Sequence, residues 1–274
     1  DYLKDFSFKG DVYAFPEGSI IYPNEPVITI VAPLIDAQIV ETAVLTMMNH
    51  QSLIATKANR IVRAADGRVV ADFGARRAHN VDAAVYGARA AYIGGVGSTA
   101  TVLAGQQFGI PVSGTMAHSW VMYYGSEYDA FKAYAEVYPD NAVFLVDTYD
   151  VLNSGVPNAI QVAKDVLEPM GKRLKGIRLD SGDLAYLAKK ARCMLDDAGL
   201  EDCKIMASNS LDEYTIKSLL LQGGPIDIFG VGERLITSKS DPVFGAVYKI
   251  ASIEKDGKWE PRIKISEAVE KITN

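Results

Sequence analysis

Between residues 69 and 234 an apolar run, a polar tip and a helical pattern follow one another six times, and this recurrence restricts the chain to one kind of architecture. Val69-Val-Ala-Asp-Phe73 leads into Gly74-Ala-Arg-Arg77 and an alanine-rich helix over 81–93. Ile110-Pro-Val-Ser-Gly114 leads into Thr115-Met-Ala-His-Ser119 and a helix over 128–137. Ala142-Val-Phe-Leu-Val146 leads into Asp147-Thr-Tyr-Asp150 and a helix over 159–167, stopped by Pro169 and Gly171. The run 174–179 carries Arg178, ends in Asp180-Ser-Gly-Asp183 and precedes a helix over 184–198. Lys204-Ile-Met-Ala-Ser208 leads into Asn209-Ser-Leu-Asp212 and a helix to Gln222, and Ile226-Asp-Ile-Phe229 into Gly230-Val-Gly-Glu-Arg234. The landmarks Asp72, Gly114, Asp147, Asp180, Asn209 and Gly230 lie about 20–40 residues apart, the size of one βα unit.

Alternating strands and helices dictate a parallel sheet with right-handed connections. Six such units favour a closed barrel over an open sheet. In a barrel the loops after the strands gather on one face, so tips far apart in sequence converge in space. The expected fold is therefore α/β, with a barrel over residues 34–245. Its first element is a helix in which Ile35, Ile39, Ala43 and Met47 recur at four-residue steps, interrupted by Glu41 and Asn49. Residues 1–33 and 246–274 have β character. Val12-Tyr-Ala-Phe15, Ser19-Ile-Ile-Tyr22 and Val27-Ile-Thr-Ile-Val31 are punctuated by Pro16, Gly18, Pro23 and Pro26. Val247-Tyr-Lys-Ile-Ala-Ser-Ile253 and Glu260-Pro-Arg-Ile-Lys-Ile265 flank a Lys255-Asp-Gly-Lys258 turn. The two ends are expected to form one discontinuous β-rich sandwich domain.

Charge narrows the partners. A net charge of −6 argues against a general nucleic-acid binder and against a membrane-surface protein. No apolar run reaches transmembrane length, and no signal peptide is read at the start. Two cysteines, Cys193 and Cys203, without metal-ligand spacing, fit a reducing cytoplasm.

The tips collect Asp72, Phe73, Arg76, Arg77, His118, Asp147, Asp150, Arg178, Asp180, Asp183, Asn209, Gly230 and Gly232. Guanidinium groups and glycine-lined backbone match phosphate oxygens. Carboxylates suit Mg²⁺ or ribose hydroxyls. Phe73 can stack on a flat ring. His118, alone among the three histidines, sits in a strand-tip setting and suits a general base or a group-carrying nucleophile. Together these groups suit an anionic sugar phosphate with a planar partner. Each has a plainer alternative. Asp147 and Asp150 suit helix N-caps, Arg76-Arg77 a solvated pair, and the Gly-x-Gly a simple turn. The dinucleotide fingerprint is absent, since no third glycine or partner acid follows at the right spacing.

The chain is identified as resembling the nicotinate phosphoribosyltransferase family, of the type II phosphoribosyltransferase fold. The resemblance is carried by Glu41-Thr42 with Asn49, Ala55-Thr-Lys-Ala58 with Arg60-Ile61, Asp72-Phe-Gly-Ala-Arg-Arg-Ala-His79 and Ser98-Thr-Ala-Thr-Val-Leu-Ala-Gly105. Gly114-Thr-Met-Ala-His-Ser119, Val146-Asp-Thr-Tyr-Asp150, Arg178-Leu-Asp-Ser-Gly-Asp183 and Phe229-Gly-Val-Gly-Glu-Arg234 complete it. It implies that nicotinate and phosphoribosyl pyrophosphate give nicotinate mononucleotide and pyrophosphate, coupled to ATP hydrolysis, with Mg²⁺ assisting departure of pyrophosphate. It implies a phosphohistidine at His118, with Asp147 and Asp180 also catalytic. Phe73 would stack on the pyridine ring, and Arg76 and Arg77 would hold anionic groups. Substrate contacts are further implied for Ser98, Thr99, Ser119, Arg178, Asp183, Ser208, Asn209, Gly230 and Gly232. The carboxylates that hold the metal are left open. The resemblance also implies a homodimer with shared active sites, and an N-terminal segment and a C-terminal portion outside the present sequence.

Three other readings compete. A nicotinamide phosphoribosyltransferase would take a neutral base, but Arg76-Arg77 and Ser98-Thr-Ala-Thr101 favour the acid. A barrel aldolase or isomerase wants a lysine at a strand tip, and the tips at Asp147, Asp180 and Asn209 have none. A truncated, non-catalytic nucleotide-binding protein is the third.

Overall fold

A computed structural model describes residues 2–265. Two antiparallel strands come first, β1 (Asp11–Ala14) and β2 (Ile28–Val31), with Asp11 opposite Val31 and Ala14 opposite Ile28. The expected strand at 19–22 does not form. Pro16 and Pro23 frame it, turns occupy 17–18 and 23–24, and proline removes the N–H groups a ladder needs. The long helix α1 (Leu34–Ala64) follows, and it starts where the four-residue apolar period starts.

The chain divides into two compact units, one of Asp1–Leu53 with Val243–Asn274, the other of Ile54–Pro242. The first half of α1 thus groups with the terminal segments, whereas the expected boundary placed the whole helix with the barrel. In the terminal unit Asp36 is buried and accepts hydrogen bonds from Tyr2 Oη (2.5 Å) and Lys9 N (3.0 Å). The Tyr2 bond, then the Lys9 bond, hold its carboxyl below the usual range.

In the larger unit the elements run β3 (Val69–Asp72), α2 (Val81–Ile93), β4 (Ser98–Thr99), α3 (Val102–Phe108), α4 (His118–Tyr124), α5 (Glu127–Val137) and β5 (Val143–Leu145). Then come α6 (Val156–Val162), β6 (Gly176–Leu179), α7 (Leu184–Asp197), β7 (Lys204–Ser208), α8 (Glu213–Leu221), β8 (Ile228–Val231) and α9 (Glu233–Ile236). The terminal unit resumes with β9 (Ser252–Lys255) and β10 (Lys258–Pro261), joined by Asp256-Gly257, both at positive φ (51° and 74°) as a tight hairpin turn demands. This second antiparallel pair is separate from β1–β2 and is shorter than the two runs read from the sequence.

The six strands β3 to β8 form a curled parallel half-barrel in the order β4-β3-β8-β7-β6-β5. Closure is not reached: among the described residues β4 and β5 are the sheet's two ends. The expected strand at 110–114 contributes a single bridge, Val112 to Thr99. Pro111 has no N–H to donate, though its carbonyl accepts from Thr99 N (3.0 Å). The strand register sets the site. Ala71 lies opposite Gly230, Ser208 opposite Gly230, and Leu145 opposite Arg178, so the carboxyl ends of neighbouring strands finish together.

The core lies between this sheet and its helices. Strands β6 and β7 are buried on both faces, as crossover helices require of a parallel sheet. At its centre Phe131 of α5 stacks on Phe144 of β5, with rings 4.8 Å apart and 4° from parallel, both fully buried. Lys57 of α1 is also buried. It pairs with Glu213 of α8 at 2.7 Å and donates to Ser240 Oγ at 3.3 Å, so the second half of α1 is clasped to the barrel by a compensated charge. Removing the stacked ring with Phe144→Ala should cost about 3–5 kcal/mol of stability, measured by urea denaturation, because the cavity lies in a fully packed layer.

Candidate active site

Arg178 sits near the end of β6 among otherwise apolar residues and points its guanidinium across the strand tips. Its Nε donates to Ser208 Oγ (2.8 Å), Nη1 to Thr115 Oγ1 (2.8 Å) and Nη2 to Asp180 Oδ1 (2.9 Å). The same group lies over the Phe73 ring, 5.3 Å from its centre. Ser208 Oγ also donates to Asp180 Oδ1 in a short hydrogen bond. Burial by itself would raise the Asp180 carboxyl. The Ser208 bond, the Arg178 charge and hydrogen bond, and the nearby His118 outweigh it and hold the group below the usual range.

His118 opens α4, where the backbone leaves its extended run at Ala117. Its Nδ1 meets Thr148 Oγ1 at 3.1 Å. Its Nε2 lies 3.8 Å from Asp147 Oδ1 and 3.7 Å from Asp180 Oδ2, so two carboxylates from neighbouring strand tips bracket one nitrogen. The Asp147 side chain is 1% exposed. Its Oδ2 accepts from Ser181 Oγ (2.5 Å), while its Oδ1 has no hydrogen-bond partner. A buried carboxylate oxygen left unpaired calls for a cation or a donor.

The β3 tip is held from below. Asp72 is fully buried and accepts from Thr99 Oγ1 (2.7 Å) and Gly74 N (2.8 Å). Burial pushes its carboxyl up, and those two hydrogen bonds partly offset the shift. This arrangement fixes the turn that presents Phe73, Arg76 and Arg77. Phe73 in turn rests on Gly230, where an added Cβ would lie 2.6 Å from the ring. Arg76 and Arg77 are exposed in a 3₁₀ turn, Ala75–Arg77. At the β7 tip Asn209 (φ 84°) and Ser210 (φ 52°) are successive left-handed residues, an uncommon conformation held at a strand end.

The residues expected from the sequence therefore divide. His118, Asp147, Asp180, Arg178, Ser208 and Phe73 come together as one connected group, with Gly230 beneath Phe73. Thr99 is buried and its hydroxyl is taken by Asp72, so it supports the tip from behind. Ser98 shares its hydroxyl with Ser113 at 2.6 Å. Asp183 accepts from Tyr186 N (3.1 Å) as the N-cap of α7, and Asp150 caps the turn after it through Leu152 N and Asn153 N. Ser119 is exposed in the first turn of α4, and Gly232 precedes α9. Sequence reasoning missed Thr115, Thr148 and Ser181, which hold Arg178, His118 and Asp147. The available signal was position, since each lies inside a strand-tip motif beside a residue already singled out.

Among the described residues no three His, Cys, Asp or Glu side chains gather into a metal cage. The orphaned Asp147 Oδ1 with Asp180 across His118 does fit Mg²⁺, which is held by one or two carboxylates plus phosphate oxygens and water.

A curled parallel half-barrel with such polar strand tips is the type II phosphoribosyltransferase fold. Human nicotinic acid phosphoribosyltransferase superposes with a TM-score of 0.77 over 84% of this chain and 57% of its own, at 30% identity. A nicotinate-nucleotide pyrophosphorylase from Pyrococcus furiosus superposes at 0.73 over 84% and 58%, at 35% identity. The chain belongs to the nicotinate phosphoribosyltransferase family: the family's N-terminal domain matches residues 1–49 and the family proper matches residues 69–272. The nicotinate phosphoribosyltransferase of Bacillus subtilis is 56% identical over 95% of this chain and 53% of its own length. The chain thus spans about half the length of the curated relatives it matches.

Asp180 supplies a pH signature. Its folded-state carboxyl lies below the unfolded value, so its stabilising contribution is complete above the ordinary carboxylate range and is lost as pH falls through the folded value. Asp180→Asn should lower the melting temperature at neutral pH, and the gap to the parent should close in acid. A gap that stays constant across the pH series contradicts the assigned network.

Proposed function

We propose that this chain carries the catalytic site of a nicotinate phosphoribosyltransferase, forming nicotinate mononucleotide and pyrophosphate from nicotinate and phosphoribosyl pyrophosphate in NAD salvage. The observation that carries the reading is the connected group of His118, Asp147, Asp180, Arg178 and Phe73 at the strand tips. Displacement at the anomeric carbon puts positive charge on the ribose ring and negative charge on the leaving pyrophosphate. Asp180 and Asp147 suit the first, Arg178 and the exposed Arg76-Arg77 pair the second and the nicotinate carboxylate. Phe73, braced by Gly230 and with the Arg178 guanidinium over its ring, offers an aromatic ring for the pyridine to stack on. The Ser208-Asn209 turn and Gly232 offer backbone N–H groups for the 5′-phosphate. Bound Mg²⁺, held by Asp147 and Asp180, would neutralise charge building on the pyrophosphate.

His118 is the proposed phosphate carrier from ATP. The proposed nucleophile is Nδ1, which faces Thr148 Oγ1, while Nε2 faces the carboxylates of Asp147 and Asp180. The Nδ1–P bond forms as the bond from the γ-phosphorus to the bridging oxygen breaks, and ADP leaves with that oxygen. The phosphorylated imidazole then adds negative charge beside the carboxylates, and water takes the phosphoryl group after turnover. A homodimer with shared sites and a cytoplasmic location complete the proposal. The location is supported by two free cysteines, of which Cys203 is buried with its thiol pushed up to about 12 by burial.

Product analysis by mass spectrometry tests the reading. The protein is incubated with phosphoribosyl pyrophosphate, Mg²⁺ and equal nicotinate and nicotinamide, with and without ATP. Nicotinate mononucleotide that rises with ATP is the expected result, and nicotinamide mononucleotide in its place overturns the base assignment. His118→Ala should abolish the ATP stimulation and leave a slower, uncoupled turnover; full stimulation in that variant removes the phosphohistidine from the mechanism. Gly230→Ala forces the Phe73 ring to move and should raise the KM for nicotinate about five- to tenfold, equivalent to losing one ring-stacking contact of roughly 1–1.5 kcal/mol.

A further inference from the structure

We infer that Glu127 is a positioning residue that holds His118 against Asp147 by tying together the two segments that carry them, an inference that rests on the proposed role of His118. Glu127 is the first residue of α5, which follows α4 after the Gly125-Ser126 turn, so it belongs to the same helical pair as His118. It is 2% exposed, an unusual position for a glutamate at the start of a helix. The helix does not need it there, because Ser126 already caps α5 through Asp129 N.

Its partner lies on the other segment. Ser154 Oγ donates to Glu127 Oε2 in a short hydrogen bond, and Asn158 Nδ2 holds Ser154 through its carbonyl (3.0 Å) and hydroxyl (3.3 Å). Ser154 belongs to the wide π-turn Val151–Gly155 that Asp150 caps. The neighbouring Gly155 abuts the strand end so closely that a Cβ would lie 1.9 Å from the Val146 carbonyl oxygen. Asp147 is the next residue. A continuous path of contact therefore runs from the α4–α5 pair through Glu127 and Ser154 to the backbone that presents Asp147. Burial raises the Glu127 carboxyl, the Ser154 and Asn158 bonds offset this only in part, and the charges of Asp150 and Asp147 add to the rise.

The chain has only three histidines, so long-range ¹H–¹⁵N spectra at one fixed pH report on each ring without ambiguity. In the full chain, Glu127→Ala and Ser154→Ala should each shift the His118 ring signals, leave those of His50 and His79 in place, and not add in the double variant. Glu127→Gln keeps an oxygen that accepts from Ser154 and should retain the parent spectrum. In the turnover assay, Glu127→Ala should lower kcat by about 10–100-fold with KM for nicotinate unchanged, the signature of a small misplacement of reacting groups. A folded Glu127→Ala variant with unmoved His118 signals overturns the inference, as does a Glu127→Gln variant that shifts them equally, since charge and not the hydrogen bond would then be acting. If Glu127→Ala does not fold, Ser154→Ala and Glu127→Gln decide. Absence of product from the parent strikes at the proposed reaction, whereas the spectra decide the positioning role independently of it.

Discussion

The Arg178 guanidinium joins the β6, β7 and β3 tips and the segment before α4, through Asp180, Ser208, the Phe73 ring and Thr115. A planar group with donors in a fixed fork can satisfy several acceptors at once, which a lysine ammonium on a flexible stem does less well. The arrangement needs a parallel sheet, because parallel strands in matched register finish at the same end side by side. It also needs a partly buried setting, where Asp180 compensates the positive charge and the charge in turn keeps Asp180 ionised.

Around that centre a second row of polar groups supports the first. Asp72 and Thr99 lock the turn behind Phe73, Ser181 holds Asp147, and Thr148 meets Nδ1 of His118. Most of these supports are hydroxyls and buried carboxylates within a few residues of a strand end. The half-barrel therefore presents its reactive groups from short rigid segments. The proposed reaction would set the carboxylates of Asp147 and Asp180 toward the ribose, the guanidinium groups toward phosphate and the Phe73 ring toward the base.

Local pattern made most of the barrel legible. The helix over 81–93 and the strand over 204–208 coincide with the observed elements, because alanine-rich helical periodicity and a short apolar run between turn residues are signals contained within each segment. The errors have a common cause. The runs at 19–22 and 110–114 look like strands, but a strand exists only where a partner edge accepts its hydrogen bonds, and prolines at 16, 23 and 111 remove donors. β4, two residues long, has no pattern of its own and exists because β3 pairs with it. The same limit applies to the site. Asp147, Asp150, Asp180 and Asp183 look alike in sequence, yet Asp150 and Asp183 cap helices, while Asp147 and Asp180 face His118.

Residue order therefore settled the alternation of strand and helix, the parallel sheet that follows from it, and the motifs that place the chain in its family. It also settled that the polar tips share one end of the sheet, since strand direction and connection handedness leave no other choice. Three-dimensional packing settled which tip residues meet, that the barrel stays half open, and that Glu127 and Asp72 are buried supports. Those outcomes depend on hydrogen-bond partners tens of residues away and on the free energy of burying a charge. No window of sequence contains either quantity.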